Sequence, residues 1–123
     1  MTTIGHLING KTVADNGRTQ DVYNPATGEV SKQVSLASKA TVEEAIAAAA
    51  AAFPEWRSTP VGKRTAVMFK FKALIEKHAD KIIELIGDEH GKICHDAAGE
   101  LQRGIEVIEY ACGAGEFLKG EHS

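Results

Sequence analysis

A thiol beside an imidazole is the first chemistry on offer. Cys94 and His95 are adjacent, and a cysteine thiolate activated by a base is a familiar nucleophile. Successive residues on a helix diverge by about 100°, so these two side chains do not face each other. A nucleophile also needs an oxyanion site and a lowered pKa, and neither is legible nearby. No residue of the chain is therefore assigned a catalytic role. His90 and Cys94 are four residues apart and could share a helix face, with Glu89 and Asp96 close by. Zinc requires three or four convergent ligands, so a helix-end surface is the plainer reading and no metal site is assigned. Cys112 continues an apolar stripe and reads as core.

Two glycine-bearing stretches invite a phosphate-binding reading, and both fail. Gly113-Ala114-Gly115-Glu116-Phe117-Leu118 lacks the third glycine of a dinucleotide fingerprint and follows a helical pattern rather than a strand. Gly62-Lys63-Arg64-Thr65 has the Gly-Lys of a phosphate loop, but Arg57 stands where the earlier glycine belongs. Arg103 remains. Its neighbours Gln102 and Gly104 leave the guanidinium room to move, and Gly104 would let another segment approach closely. A planar guanidinium is suited to hold a substrate carboxylate in a fork. The plainer alternative is a surface salt bridge with Glu100 or Glu106.

The elements that must position these residues follow from pattern. At 123 residues, the chain is one domain or part of one. A hydrophobic fraction of 43% and a charged fraction of 25% are those of a globular protein. The net charge of −3 argues against a nucleic-acid partner. No apolar run approaches the ~20 residues that span a bilayer. There is no secretory signal pattern, and two cysteines make no disulfide framework. Free thiols suit a reducing compartment, so a cytoplasmic location is expected.

The first forty residues read as two hairpins. His6-Leu7-Ile8 and Lys11-Thr12-Val13-Ala14 flank Asn9-Gly10, a strong hairpin signal. Asp15-Asn16-Gly17 closes that unit. Asp21-Val22-Tyr23 then passes through the turn formers of residues 24–28 into a strand over residues 29–36, with Val30, Val34 and Leu36 on one face. Helices follow. Thr41 with Glu44 fits a capping box, and Val42, Ala45, Ile46, Ala49, Ala50 and Phe53 make a helical stripe that Pro54 should end. Trp56 lies in the linker beyond it. Thr59-Pro60 should open a second helix buried through Val67, Phe71, Leu74 and Ile75, with Lys63, Arg64, Lys70, Lys72 and Lys77 solvated. Asp80 should cap a third, through Ile82, Ile83 and Ile86. The fourth, within residues 89–121, buries Leu101, Ile105, Ile108 and Cys112 and turns Glu106 and Glu109 elsewhere.

Residues Asn24-Pro25-Ala26-Thr27-Gly28-Glu29, the Ala-rich helix with Phe53-Pro54-Glu55-Trp56, and Glu89-His90-Gly91-Lys92 resemble the amino-terminal segment of the aldehyde dehydrogenase superfamily. The resemblance runs from about residue 8 to residue 121. Residues 99–112, GELQRGIEVIEYAC, look like the CoA-acylating methylmalonate-semialdehyde dehydrogenases. Ile93-Cys94-His95 departs from the Thr or Leu-Pro more usual after Gly-Lys, which touches only the local turn.

The resemblance implies an α/β, aldehyde dehydrogenase-like fold. Residues 1–123 would be an incomplete, amino-terminal part of its NAD-binding domain. This α+β segment would carry two hairpins and then about four helices that pack on that domain. The implied reaction oxidises methylmalonate or malonate semialdehyde with NAD+ and yields propionyl-CoA or acetyl-CoA plus CO2, with CoA as co-substrate. Valine or inositol catabolism would be its setting, and a homo-oligomer, dimer or tetramer, its assembly. The family's nucleophilic cysteine, general base and cofactor turns would lie beyond residue 123, so the segment by itself is expected to be inactive. No cofactor-binding residue falls inside it. The resemblance places the fourth helix along the substrate tunnel, which gives Arg103 the free carboxylate of the semialdehyde acid to bind. The competing readings are an NAD(P)-dependent aldehyde dehydrogenase without CoA transfer and a non-catalytic helical interaction module.

Overall fold

The computed structural model describes residues 2–15 and 17–121. Asn16, assigned to the turn that closes the first hairpin, lies outside the described residues. The chain divides into two units between Arg57 and Ser58. The expected order of strands followed by helices holds.

The first unit carries all the described strands. Strands β2 (His6–Ile8) and β3 (Lys11–Val13) pair antiparallel. Their turn places Asn9 at φ 49° and Gly10 at φ 74°, the left-handed pair that a tight hairpin requires. Strands β4 (Thr19–Tyr23) and β5 (Val30–Ser35) form the second hairpin, with a register shift at Val22/Tyr23. Its turn accounts for the Asn-Pro-Ala-Thr-Gly-Glu signature. The Ala26 N–H donates to Asn24 Oδ1 at 2.9 Å and the Gly28 N–H to the Asn24 carbonyl at 2.8 Å. Gly28 sits at φ 72°, where a side chain would be strained. A further strand, β1 (Thr3–Ile4), adds in parallel to β5 and gives a three-stranded sheet ordered β1-β5-β4. Two residues are too few to show a period, so only the long-range pairing reveals it. Gly5 links β1 to β2 because a Cβ there would stand 2.6 Å from the Val13 carbonyl oxygen.

Helix α1 (Lys39–Ser58) corrects two expectations. Its cap is Ser38 rather than Thr41: the Thr41 N–H donates to Ser38 Oγ at 3.2 Å. Thr41 is the third helical residue, and its hydroxyl donates to Asp15 Oδ2 at 2.7 Å. Pro54 does not stop the helix, and Glu55 and Trp56 are helical rather than linker. Proline's fixed φ is itself helical, and its cost is a lost donor and a clash with the carbonyl four residues back. That residue, Ala50, lies on an exposed turn. The apolar stripe of α1 is uncovered at Val42, Ile46 and Phe53, and Trp56 is exposed too.

The second unit is helical. Helix α2 (Val61–Lys77) packs on α4 (Cys94–Cys112), as does α3 (Ala79–His90); the single turn α5 (Ala114–Phe117) packs on α2 and α4. Pro60 rather than Thr59 holds the cap position of α2, with no side-chain capping bond. The same holds at α3, where His78 precedes the helix and Asp80 lies in its first turn. The inward face of α2 is also corrected. Thr65, Met68, Lys72 and Ile75 are half-buried, while Val67, Phe71 and Leu74 are exposed. The two stripes differ by one residue, about 100° of rotation, and both have helical spacing. The described structure covers the more polar one. Lys72 is accordingly no solvated lysine: its stem is buried and its ammonium pairs with Glu76 and, at 3.2 Å, with Glu109 of α4. The α4 stripe holds as expected, with Ile105 and Cys112 buried, Leu101 and Ile108 half-buried, and Ala97 fully enclosed at its head.

Candidate functional site

The outward side of α4 is where the singled-out residues meet. An open cleft of about 520 Å³ is lined by Lys92, His95, Asp96, Gly99, Glu100 and Arg103. Helix α3 ends at Gly91. Residue 92 then crosses to Ile93, whose extended backbone (ψ 154°) precedes the first turn of α4. This crossing sets the Lys92 stem beside the α4 surface. Glu100 and Arg103 share that face through their three-residue spacing.

The electrostatics of the cleft are asymmetric. Lys92 Nζ stands 2.7 Å from Glu100 Oε2. The hydrogen bond and charge of Lys92 hold the Glu100 carboxyl below its ordinary pKa. Arg103, by contrast, has no carboxylate of a described residue within ion-pair distance of its guanidinium. The salt bridge to Glu100 or Glu106 offered as its plainer role is therefore not formed. A Cβ added at Gly99 or Gly104 would meet no described atom within 4 Å. The close approach expected at Gly104 is thus not made by a described residue, and Arg103 lines the open cleft. A second hollow of about 610 Å³ continues past it along Glu106, Val107 and Tyr110.

The other candidates disperse. Cys94 and His95 are both exposed, and His95 faces Asp96, Nδ1 to Oδ1 at 3.5 Å, rather than the thiol. Cys112 is buried in the core and neither cysteine is bridged. Among the described residues no group of three His, Cys, Asp or Glu side chains could hold a metal ion. Gly62-Lys63 lies in the first turn of α2, and Gly113-Ala114-Gly115 joins α4 to α5. Neither has the strand–turn–helix geometry that cradles a pyrophosphate. Pattern reading missed Lys92, because a contact across a helix boundary follows no period.

The "Aldehyde dehydrogenase family" profile matches residues 12–123. The chain belongs to the aldehyde dehydrogenase family. It is 58% identical over its full length to a malonate-semialdehyde dehydrogenase of Pseudomonas aeruginosa, of which it covers 25%. Among solved aldehyde dehydrogenases, it matches the methylmalonate-semialdehyde dehydrogenase of Oceanimonas doudoroffii with TM-score 0.97 and 69% identity, covering 100% of this chain and 25% of that one. A Sinorhizobium meliloti protein described provisionally as a methylmalonate-semialdehyde dehydrogenase, solved in complex with NAD, matches with TM-score 0.89 and 41% identity over 93% of this chain and 23% of that one. The chain spans about a quarter of the length of these relatives, their amino-terminal part. Its α+β character is that of an aldehyde dehydrogenase segment.

Proposed function

We propose that this chain is the amino-terminal part of the NAD-binding domain of a CoA-acylating malonate- or methylmalonate-semialdehyde dehydrogenase, and that Arg103 binds the substrate's carboxylate. The observation that carries the assignment is a guanidinium on an open cleft, without an ion pair among the described residues, on a helix where Glu100 is tied elsewhere. Both substrate names attached to the relatives denote aldehydes that keep a free carboxylate. Such a carboxylate accepts two parallel N–H bonds from arginine. Clamping the acid end restricts the orientation of the aldehyde end, which lowers the entropic part of the barrier. Arg103 is thus a binding residue, and the covalent chemistry belongs to residues outside this segment.

The dinucleotide would be held by other parts of the complete enzyme, since neither glycine-bearing stretch here fits it. Bound there, NAD+ would supply the hydride acceptor and CoA the acyl acceptor of the oxidative decarboxylation. A cytoplasmic homo-oligomer, dimer or tetramer, completes the reading.

The test is kinetic. In the complete enzyme, Arg103→Leu should raise KM for malonate semialdehyde about ten- to a hundredfold, the worth of a charge-assisted hydrogen bond. Propionaldehyde, which has no carboxylate, should be affected less than twofold. Equal losses on both aldehydes would reject the assignment.

A further inference from the structure

We infer that Lys92 is a positioning residue for this site: by engaging Glu100, it keeps Arg103 free to take the substrate carboxylate. The inference rests on the reading of Arg103 given above. Glu100 and Arg103 are three residues apart on α4. Oppositely charged side chains three residues apart on a helix are surface neighbours and attract each other. On its own, α4 should therefore close Glu100 onto Arg103 and neutralise the guanidinium. The structure shows the opposite outcome. Glu100 Oε2 lies 2.7 Å from Lys92 Nζ, and Arg103 has no ion pair with a described residue.

The remaining carboxylates do not replace Glu100. Glu106 follows Arg103 by three and lines the hollow beyond the cleft rather than the cleft itself. Asp96 lies seven residues back, two turns or about 10 Å along the axis, and faces His95. Glu100 is thus the one acidic neighbour in the cleft placed to compete with substrate, and Lys92 occupies it. The position of Lys92 suits that task. It stands on the crossing between α3 and α4, outside both helices, with about a third of its side chain exposed. Its stem is held against the cleft wall while its ammonium spans the helix boundary.

The test uses the complete enzyme with malonate semialdehyde and propionaldehyde. Lys92→Gln should release Glu100 onto Arg103 and raise KM for the semialdehyde acid roughly two- to fivefold, the range of a single exposed ion pair. Its kcat, and KM for propionaldehyde, should stay within the error of wild type. Lys92→Arg keeps a cation opposite Glu100 and should restore the low KM. The double variant Lys92→Gln/Glu100→Gln removes the competitor as well and should restore it too. A double variant as impaired as Lys92→Gln would make Lys92 a structural residue and overturn the inference. So would an unchanged KM in Lys92→Gln alongside a selective defect in Arg103→Leu, which leaves the Arg103 assignment standing. A non-selective Arg103→Leu removes that assignment and this inference together.

Discussion

Asp15 is a heavily engaged side chain of the first unit. Its carboxylate accepts hydrogen bonds from the Thr41 hydroxyl and the Ser38 N–H, each at 2.7 Å, and from the Ser38 hydroxyl at 3.4 Å. Its backbone N–H donates to Ser35 Oγ at 3.0 Å. It thereby seals the first turn of α1, where negative charge is favoured. The Thr41 and Ser38 hydrogen bonds hold its pKa below the ordinary 3.8, against a smaller opposing effect of desolvation. A carboxyl depressed in the folded state contributes stability that is complete above the unfolded pKa and is lost as pH falls through the lower folded value. In the complete enzyme, Asp15→Asn should therefore lower the thermal midpoint at pH 7 and flatten its decline between pH 5 and pH 3. Thermal midpoints that fall in parallel for both proteins would contradict this. Asp15 was legible as part of a turn, but its bonds reach 23 and 26 residues along the chain, beyond any local pattern. Arg103 was legible as an exception, an arginine among small residues. Its freedom was not, because freedom depends on what Glu100 does with Lys92.

Helix α4 shows what periodicity determines well. Leu101, Ile105, Ile108 and Cys112 were readable as one face, and that face is the inward one. Ala97 belongs to it and is wholly enclosed, so there is no space for a larger side chain. Ala97→Leu should cost about 1–3 kcal/mol through overpacking. Val107→Ala, on the exposed side, should change stability by no more than about 0.5 kcal/mol. Denaturant midpoints of the two variants of the complete enzyme compare these directly, and similar losses would refute the assigned faces. Helix α2 shows the limit of the same method. It has two stripes one residue apart, and the sequence favours the more apolar. The face that packs on α4 is the other, tied across by Lys72 and Glu109. The Tyr110 and Phe117 rings, stacked at 5.1 Å, join α4 to α5 in the same way, through a contact without a period.

At the scale of the molecule, accessible surface is in excess. The accessible surface is 9422 Å². Two separate compact bodies, each of half the chain's mass, would together expose about 7,700 Å². Val42, Ile46 and Phe53 on α1, and Val67, Phe71 and Leu74 on α2, are among the large apolar side chains left exposed. Faces of this kind mark surfaces that pack against further protein. The 123 residues produced alone should self-associate or fold only in part, and should form no NADH from malonate semialdehyde, NAD+ and CoA. Sedimentation shows the first and absorbance at 340 nm the second. A monomer with one sharp thermal transition, or turnover at an enzyme-like rate, would refute these expectations.

Sequence alone determined the order of elements, both hairpins, the existence of four helices and the buried face of α4. Each depends on neighbours within a few residues: the left-handed pair Asn9-Gly10, the Asx turn at Asn24, a stripe at helical spacing. It also set Arg103 apart and carried the family resemblance in the Asn24 turn and residues 99–112. Tertiary structure alone decided the parallel β1, the cap of α1 through Asp15, the inward face of α2 and the release of Arg103. In each of these the local pattern leaves more than one arrangement open. A contact that crosses a turn or a helix boundary tips the balance, and spacing along the chain carries no record of it.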